Sequence, residues 1–323
     1  MSKLKLAGAC WVSVFTLLVT GAFAQNYPTK PIRMIVAYPP GGGTDIVGRM
    51  IAQKLSENFG QTVVIDNRGG AAGGIGTEIA AKSVPDGYTI LMGNVAPNAI
   101  NVSLYAKLGY DPVRDFEPVS LVASTPNILV VQPSFAAKTI PDLIALAKAK
   151  PATLNYPSAG LGSSSHLAGE LFDNLAGVKM VHIPYKGGGP ALTDLLGGQV
   201  QLMFATMPAA MPHVRSGRLR AIAVTSVKRS QAMPDLPTIG ETLKGYDAST
   251  WYGVLAPVRT PHAVVMTLHD EIIRILGAAE MRERLLAQGF EPVGGTPAEF
   301  AAYIKSEIAK WGKVIKAAGI KPE

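Results

Sequence analysis

The sequence predicts an α/β protein of two lobes, each a mostly parallel sheet flanked by helices. Three observations predict it. Strand-like runs pass repeatedly through glycine-rich turns into helices, an order that favours parallel pairing. A strand-like stretch breaks at Thr125-Pro126, which marks a crossing between lobes. The chain then ends in helices without partner strands, which must pack on a sheet already made.

The first unit is the clearest. Ile32 to Tyr38 is a short apolar run rich in β-branched residues, so it reads as a buried strand. Pro39, Pro40 and Gly41 to Gly43 stop it. Thr44 and Asp45 are N-cap residue types, and Ile46, Val47, Met50, Ile51 and Leu55 follow at helical spacing. Such a turn leaves bare N–H groups at the positive end of a helix, where an anion can sit.

The same grammar recurs. Thr62 to Asp66 is a strand, and Asn67 to Gly76 is a second glycine-rich loop feeding a helix. Tyr88 to Met92 is a third strand, with a helix junction over Asn94 to Asn101. Phe116 to Ser124 and Asn127 to Gln132 read as two strands, and Thr139 to Lys150 as an amphipathic helix. Leu154 to Pro157 leads through the serine-rich loop Ser158 to His166 into a helix from Leu167. Lys179 to Pro184 leads through Tyr185 to Pro190 into another. Val200 to Phe204 and Leu219 to Thr225 close this set, Trp251 to Pro257 is a further strand, and helices follow over 261–276, 279–287 and 297–318. The lobes are expected at residues 25–124 with 226–323, and at 125–225. Ligands of open α/β sheets bind beyond the strand C-termini, here between the lobes.

Composition narrows the chemistry. Lys3 and Lys5 precede an apolar run, and Ala22-Phe23-Ala24 is a small-x-small cleavage pattern, so residues 1–24 read as a secretory signal. The single cysteine, Cys10, lies inside it. A mature chain without thiols has no Cys nucleophile, disulfide or thiolate metal site, and suits a bacterial periplasm. The net charge of +7 is scattered, not clustered as a nucleic-acid footprint would be.

Several enzyme motifs fail on spacing. Arg49 and Met50 stand where a P-loop needs Lys and Ser/Thr, and Ser165 replaces the third glycine of a dinucleotide fingerprint. There is no G-x-S-x-G elbow and no H-E-x-x-H. His166 opens a helix in the serine loop, and a hydrogen bond that locks the loop is the preferred reading over catalysis. Asp45 and Arg49 are spaced as a helical ion pair. No cofactor and no metal is expected. The competing classes are a secreted hydrolase using His166 with a nearby serine, and a ligand sensor for a membrane signalling protein.

The chain also resembles a known family. Tyr27 to Arg33, Pro40-Gly41-Gly42-Gly43-Thr44-Asp45, Gly60-Gln61 with Asn67-Arg68, and Ala71 to Gly76 carry the resemblance. So do Pro85 to Thr89, Gly162-Ser163 with His166-Leu167, Pro184 to Gly187, Leu236-Pro237-Thr238, Trp251-Tyr252-Gly253, Trp311 and Ala318-Gly319-Ile320. These segments resemble the Bug family of extracytoplasmic solute receptors of tripartite tricarboxylate transporters. The resemblance implies a monomeric, two-lobed "Venus flytrap" periplasmic binding protein that closes on a small organic acid and hands it to membrane permease subunits. It implies ligand contacts at Gly42, Gly43, Thr44 and Asp45, at Ala72 and Gly73, and at Gly162, Ser163 and Ser164. Many relatives carry an acidic residue where this chain has Ala205 and Thr206, which argues against an amino-acid ligand.

Overall fold

The structure is a computed structural model that describes residues 27–317 and 319–320; the expected signal lies outside them. The first part alternates as the sequence suggests: β1 (Ile32–Val36), α1 (Gly43–Phe59), β2 (Val63–Asn67), α2 (Gly74–Ala81), β3 (Thr89–Asn94) and the short α3 (Asn101–Leu104). Helix α1 buries Val47, Met50, Ile51 and Leu55 on one face. It stops at Gly60, whose φ of 65° lets its N–H reach the Ser56 carbonyl.

The second part holds β4 (Phe116–Val131), α4 (Ile140–Ala149), β5 (Asn155–Ser158), α5 (Ser164–Ala176), β6 (Val181–Pro184), α6 (Gly188–Leu196), β7 (Leu202–Thr206), α7 (Met207–Arg215) and β8 (Arg220–Val224). The chain returns through β9 (Ser249–Pro257), α8 (His262–Gly277), α9 (Ala279–Ala287), the two-residue β10 (Glu291–Pro292) and α10 (Pro297–Ala317). Among the described residues no helix is long and apolar enough to cross a membrane.

Two lobes result. The first sheet runs β10-β4-β9-β3-β1-β2, and β7 and β8 join the other half of β4. Parallel pairing holds for β1 with β2 and β3, and for β5 with β6. The sheet is mixed because β9 enters antiparallel to both β3 and β4. The C-terminal helices cover the first lobe. Val265, Leu268, Ile272 and Leu276 of α8 join Ile32, Met34 and Val36 in one core cluster. On the other face Phe300, Ile304 and Trp311 of α10 pack near Trp251. The Trp251 and Trp311 indoles both donate to the buried Glu307 carboxylate, at 3.2 and 3.0 Å.

Two expectations change. Thr125-Pro126 does not break the strand: β4 runs through it, and only its partners change. Pro126 is the last residue paired with β9, and Asn127 the first paired with β7. Proline, lacking an N–H, is tolerated where the ladder is handed over. Residues 226–248, expected with the first lobe, also contact the second. Val224 bridges Thr238, and the Tyr246 hydroxyl donates to the Ala168 carbonyl at 2.7 Å. The buried Thr225 hydroxyl stitches the crossing, accepting from the Asn127 N–H at 2.8 Å and donating to the Ala248 carbonyl at 2.8 Å.

Candidate functional site

The chain brings helix N-termini from both lobes around one cavity of about 40 Å³. Gly42, Gly43 and Thr44 of the first loop line it, facing Ser163, Ser164 and Ser165 of the serine loop. Gly188 at the start of α6 and Thr206 at the start of α7 also line it. The first N–H groups of a helix have no intrahelical acceptor, and each terminus favours an anion by about 0.3–1 kcal/mol, up to about 2 when partly buried. The rest of the wall is Tyr38, Asn94, Ala159, Met203, Ala205, Ala209, Thr250 and Tyr252. Among the described residues no lining residue carries a charge. The space therefore suits a small anion held by amides and hydroxyls rather than by a guanidinium.

The walls are locked from behind. Asn94 Nδ2 donates to Thr44 Oγ1 at 2.9 Å, and Asn94 Oδ1 accepts from the Ala96 N–H at 3.0 Å. In the serine loop, Ser163 caps α5, and Ser165 Oγ accepts from the Ala159 N–H at 3.0 Å. His166 is buried, and its Nδ1 accepts the Gly162 N–H at 3.0 Å. That bond directs Nε2 at Glu170, 3.5 Å away, so this histidine ties down the loop. Its ring stacks on His182 with centroids 4.0 Å apart. Burial, with His166 adding to it, pushes His182 down to about 3, and its Nε2 meets Ser158 Oγ at 2.6 Å. The bond from His166 holds the Glu170 carboxyl below its usual range.

The expected site residues separate into three groups. Gly42, Gly43, Thr44, Ser163 and Ser164 share the cavity. Ala72 lines a second cavity of about 250 Å³, with Gly70, Ala71, Gly160, Tyr185 and Lys186 among its walls. Ala159 lines both cavities, so they adjoin. Asp45, Gly73 and Gly162 line neither. The Asp45 carboxylate is spent on the Gly41 N–H at 3.1 Å, Asn67 at 2.9 Å and Arg49 at 3.0 Å, which are loop and helix contacts. Gly73 packs beneath Tyr38 and Pro97, and the N–H of Gly162 is taken by His166. The second loop is held in an unusual backbone: Ala71 and Ala72 both have φ of 46°, a region costly for alanine. Tyr38 OH fixes the Ala72 carbonyl at 2.8 Å.

Tyr252, Thr206, Met203, Ala209 and Thr250 are among the lining residues outside the glycine and serine loops. Gly188 left a signal, a further glycine run before a helix. Tyr252, with Tyr38 and Asn94, is a lining candidate in the sequence, but its facing depends on the register of β9, which no local signal fixes. Among the described residues no group of three or more His, Cys, Asp or Glu is placed to hold a metal.

Residues 47–320 match the family described as "Tripartite tricarboxylate transporter family receptor". The chain is 42% identical over 302 residues to protein BugT of Bordetella pertussis, covering 92% of each. Its fold is similar to R. palustris Rpa4515 solved with adipate, with a TM-score of 0.90 and 40% identity over 92% of this chain and 100% of that one. The periplasmic binding protein BugD gives a TM-score of 0.88 at 36% identity, again over 92% and 100%. MatC from Rhodopseudomonas palustris, solved with malate, gives 0.84 at 31% identity over 90% and 100%.

Proposed function

Because the chain belongs to the tripartite tricarboxylate transporter receptor family, we propose that this solute-binding receptor takes a small organic carboxylate between its lobes and delivers it to a tripartite membrane transporter from the periplasm. Family and fold are those of solute-binding proteins, not enzymes. The observation that carries the reading is the uncharged cavity on which the N-termini of α1, α5, α6 and α7 converge. The amides of Gly43 and Thr44 on one side and the serine loop at Ser163 and Ser164 on the other grip the carboxylate. Ala72, at the wall of the adjoining cavity, meets the remainder of the ligand. Asp45, Gly73 and Gly162 act by holding the loops. Contacts made to both lobes favour the closed form over an open one.

Adipate and malate, the ligands of two similar proteins, are natural first probes. Calorimetry is expected to show one site for a plain carboxylate. Aspartate and other amino analogues are expected to bind at least about tenfold more weakly, because Ala205 and Thr206 offer no carboxylate to a buried ammonium. Tight aspartate binding with no binding of plain acids reverses the assignment. Delivery is tested by carboxylate uptake in cells lacking the receptor.

A further inference from the structure

We infer that the Tyr252 hydroxyl is a direct ligand donor, a contact supplied by a strand rather than by any of the glycine loops. This rests on the carboxylate reading of the same cavity. Tyr252 is only 1% exposed, and it lines the cavity. Among the described residues its hydroxyl has no partner in hydrogen-bonding geometry, and Thr250 is the neighbouring side chain that acts on it electrostatically. A buried hydroxyl without a partner is disfavoured unless something else completes it.

Its position is informative. A Cβ built on Gly43 would collide with this hydroxyl and would lie 3.1 Å from Thr206 Oγ1. The tyrosine oxygen therefore sits directly over the first residue of α1, where the N–H groups are free. Thr206 is the N-cap of α7, yet its side chain makes no cap hydrogen bond. Two hydroxyls, one from β9 and one from the β7–α7 junction, thus converge on the same point as a helix N-terminus. Phenyl packing accounts for the ring of Tyr252, which meets Phe290 edge-on at 5.5 Å, but not for the hydroxyl. The ring lies in the shared core of the first lobe, so the donor is held without a flexible arm.

The test is Tyr252→Phe, with acetate, succinate, adipate and malate as probes. Calorimetry gives affinity, and thermal unfolding without ligand gives stability. Ligand donation predicts a roughly ten- to hundredfold weaker Kd for whichever probes bind the wild type. Stability without ligand is expected to stay level or rise, since the lost hydroxyl had no partner in the protein. Unchanged affinity overturns the inference. So does lower stability with unchanged affinity, which would mean that Thr250 completes the hydroxyl. If the wild type binds no probe at all, the carboxylate reading fails first, and this inference fails with it. Gly43→Ala is a second variant: its backbone is acceptable to alanine, and its methyl meets the Tyr252 hydroxyl, so it should block the same probes. Full binding by Gly43→Ala also overturns the assignment.

Discussion

Replacing Gly189 by alanine should separate closure from folding. Gly189 lies in the first turn of α6 with ordinary helical backbone, so alanine imposes no strain there. Alanine is preferred over glycine in helices by about 0.5–1 kcal/mol, less in a first turn. Its methyl, however, would stand 2.8 Å from the Pro40 carbonyl oxygen in the first lobe, closer than a real Cβ sits. The obstacle is backbone, and Pro39 in the same turn fills the space where a side chain on Gly187 would stand. Overpacking of this kind costs about 1–3 kcal/mol. If only the ligand-bound form brings the lobes this close, the cost falls on binding alone. Kd should then weaken roughly fivefold to a hundredfold. The midpoint of unfolding without ligand should hold or rise by up to about 2 °C. Calorimetry and thermal unfolding on the same sample give both numbers. Wild-type affinity in Gly189→Ala would falsify the claim that closure brings α6 onto Pro40. A drop in stability without ligand would place the contact in the resting form instead.

Two further predictions concern charge. Lys186 stands at the second cavity with no ion pair among the described residues, so Lys186→Gln should weaken dicarboxylates about two- to fivefold and leave monocarboxylates unchanged. Equal losses for both classes would show that the ammonium does not meet a second carboxylate. Burial pushes the Asp173 carboxyl up to about 7 from an ordinary 3.8. Its stabilising effect is therefore complete below about pH 4 and is lost as pH rises towards 7. Urea unfolding should show wild type losing stability relative to Asp173→Asn across that interval. His182, pushed down, works in the opposite direction, so the difference between the two proteins is the quantity to follow. A difference that does not vary with pH refutes the Asp173 assignment.

Much of this molecule is written locally. Each strand–glycine–helix unit is legible because φ constraints and apolar spacing act within a few residues, although α1 is capped by Gly42 without a side-chain bond and Thr44 and Asp45 lie inside its first turn instead of capping it. His166 makes the loop-locking bond expected of it, while α5 starts at Ser164, three residues before the expected Leu167, with Ser163 as its N-cap. The ion pair of Asp45 with Arg49 follows from i, i+4 spacing alone. The same local logic explains the misplaced break at Thr125-Pro126: proline reads as an interruption, whereas β4 only exchanges one neighbour for another there.

Tertiary structure decided what the loops face. Ala72 and Gly73 share a glycine loop with the same signature as Gly42 and Gly43, yet they point into other surroundings. Tyr252 enters the site only because β9 lies antiparallel between β3 and β4 in one register; a shift of one residue would turn its side chain to the opposite face. Strand partners and registers are set by burial summed over residues far apart in the chain, and no window of sequence contains that sum. Residue order therefore determined which segments could present free amides, and the packing of two lobes determined which of those amides share a single uncharged space.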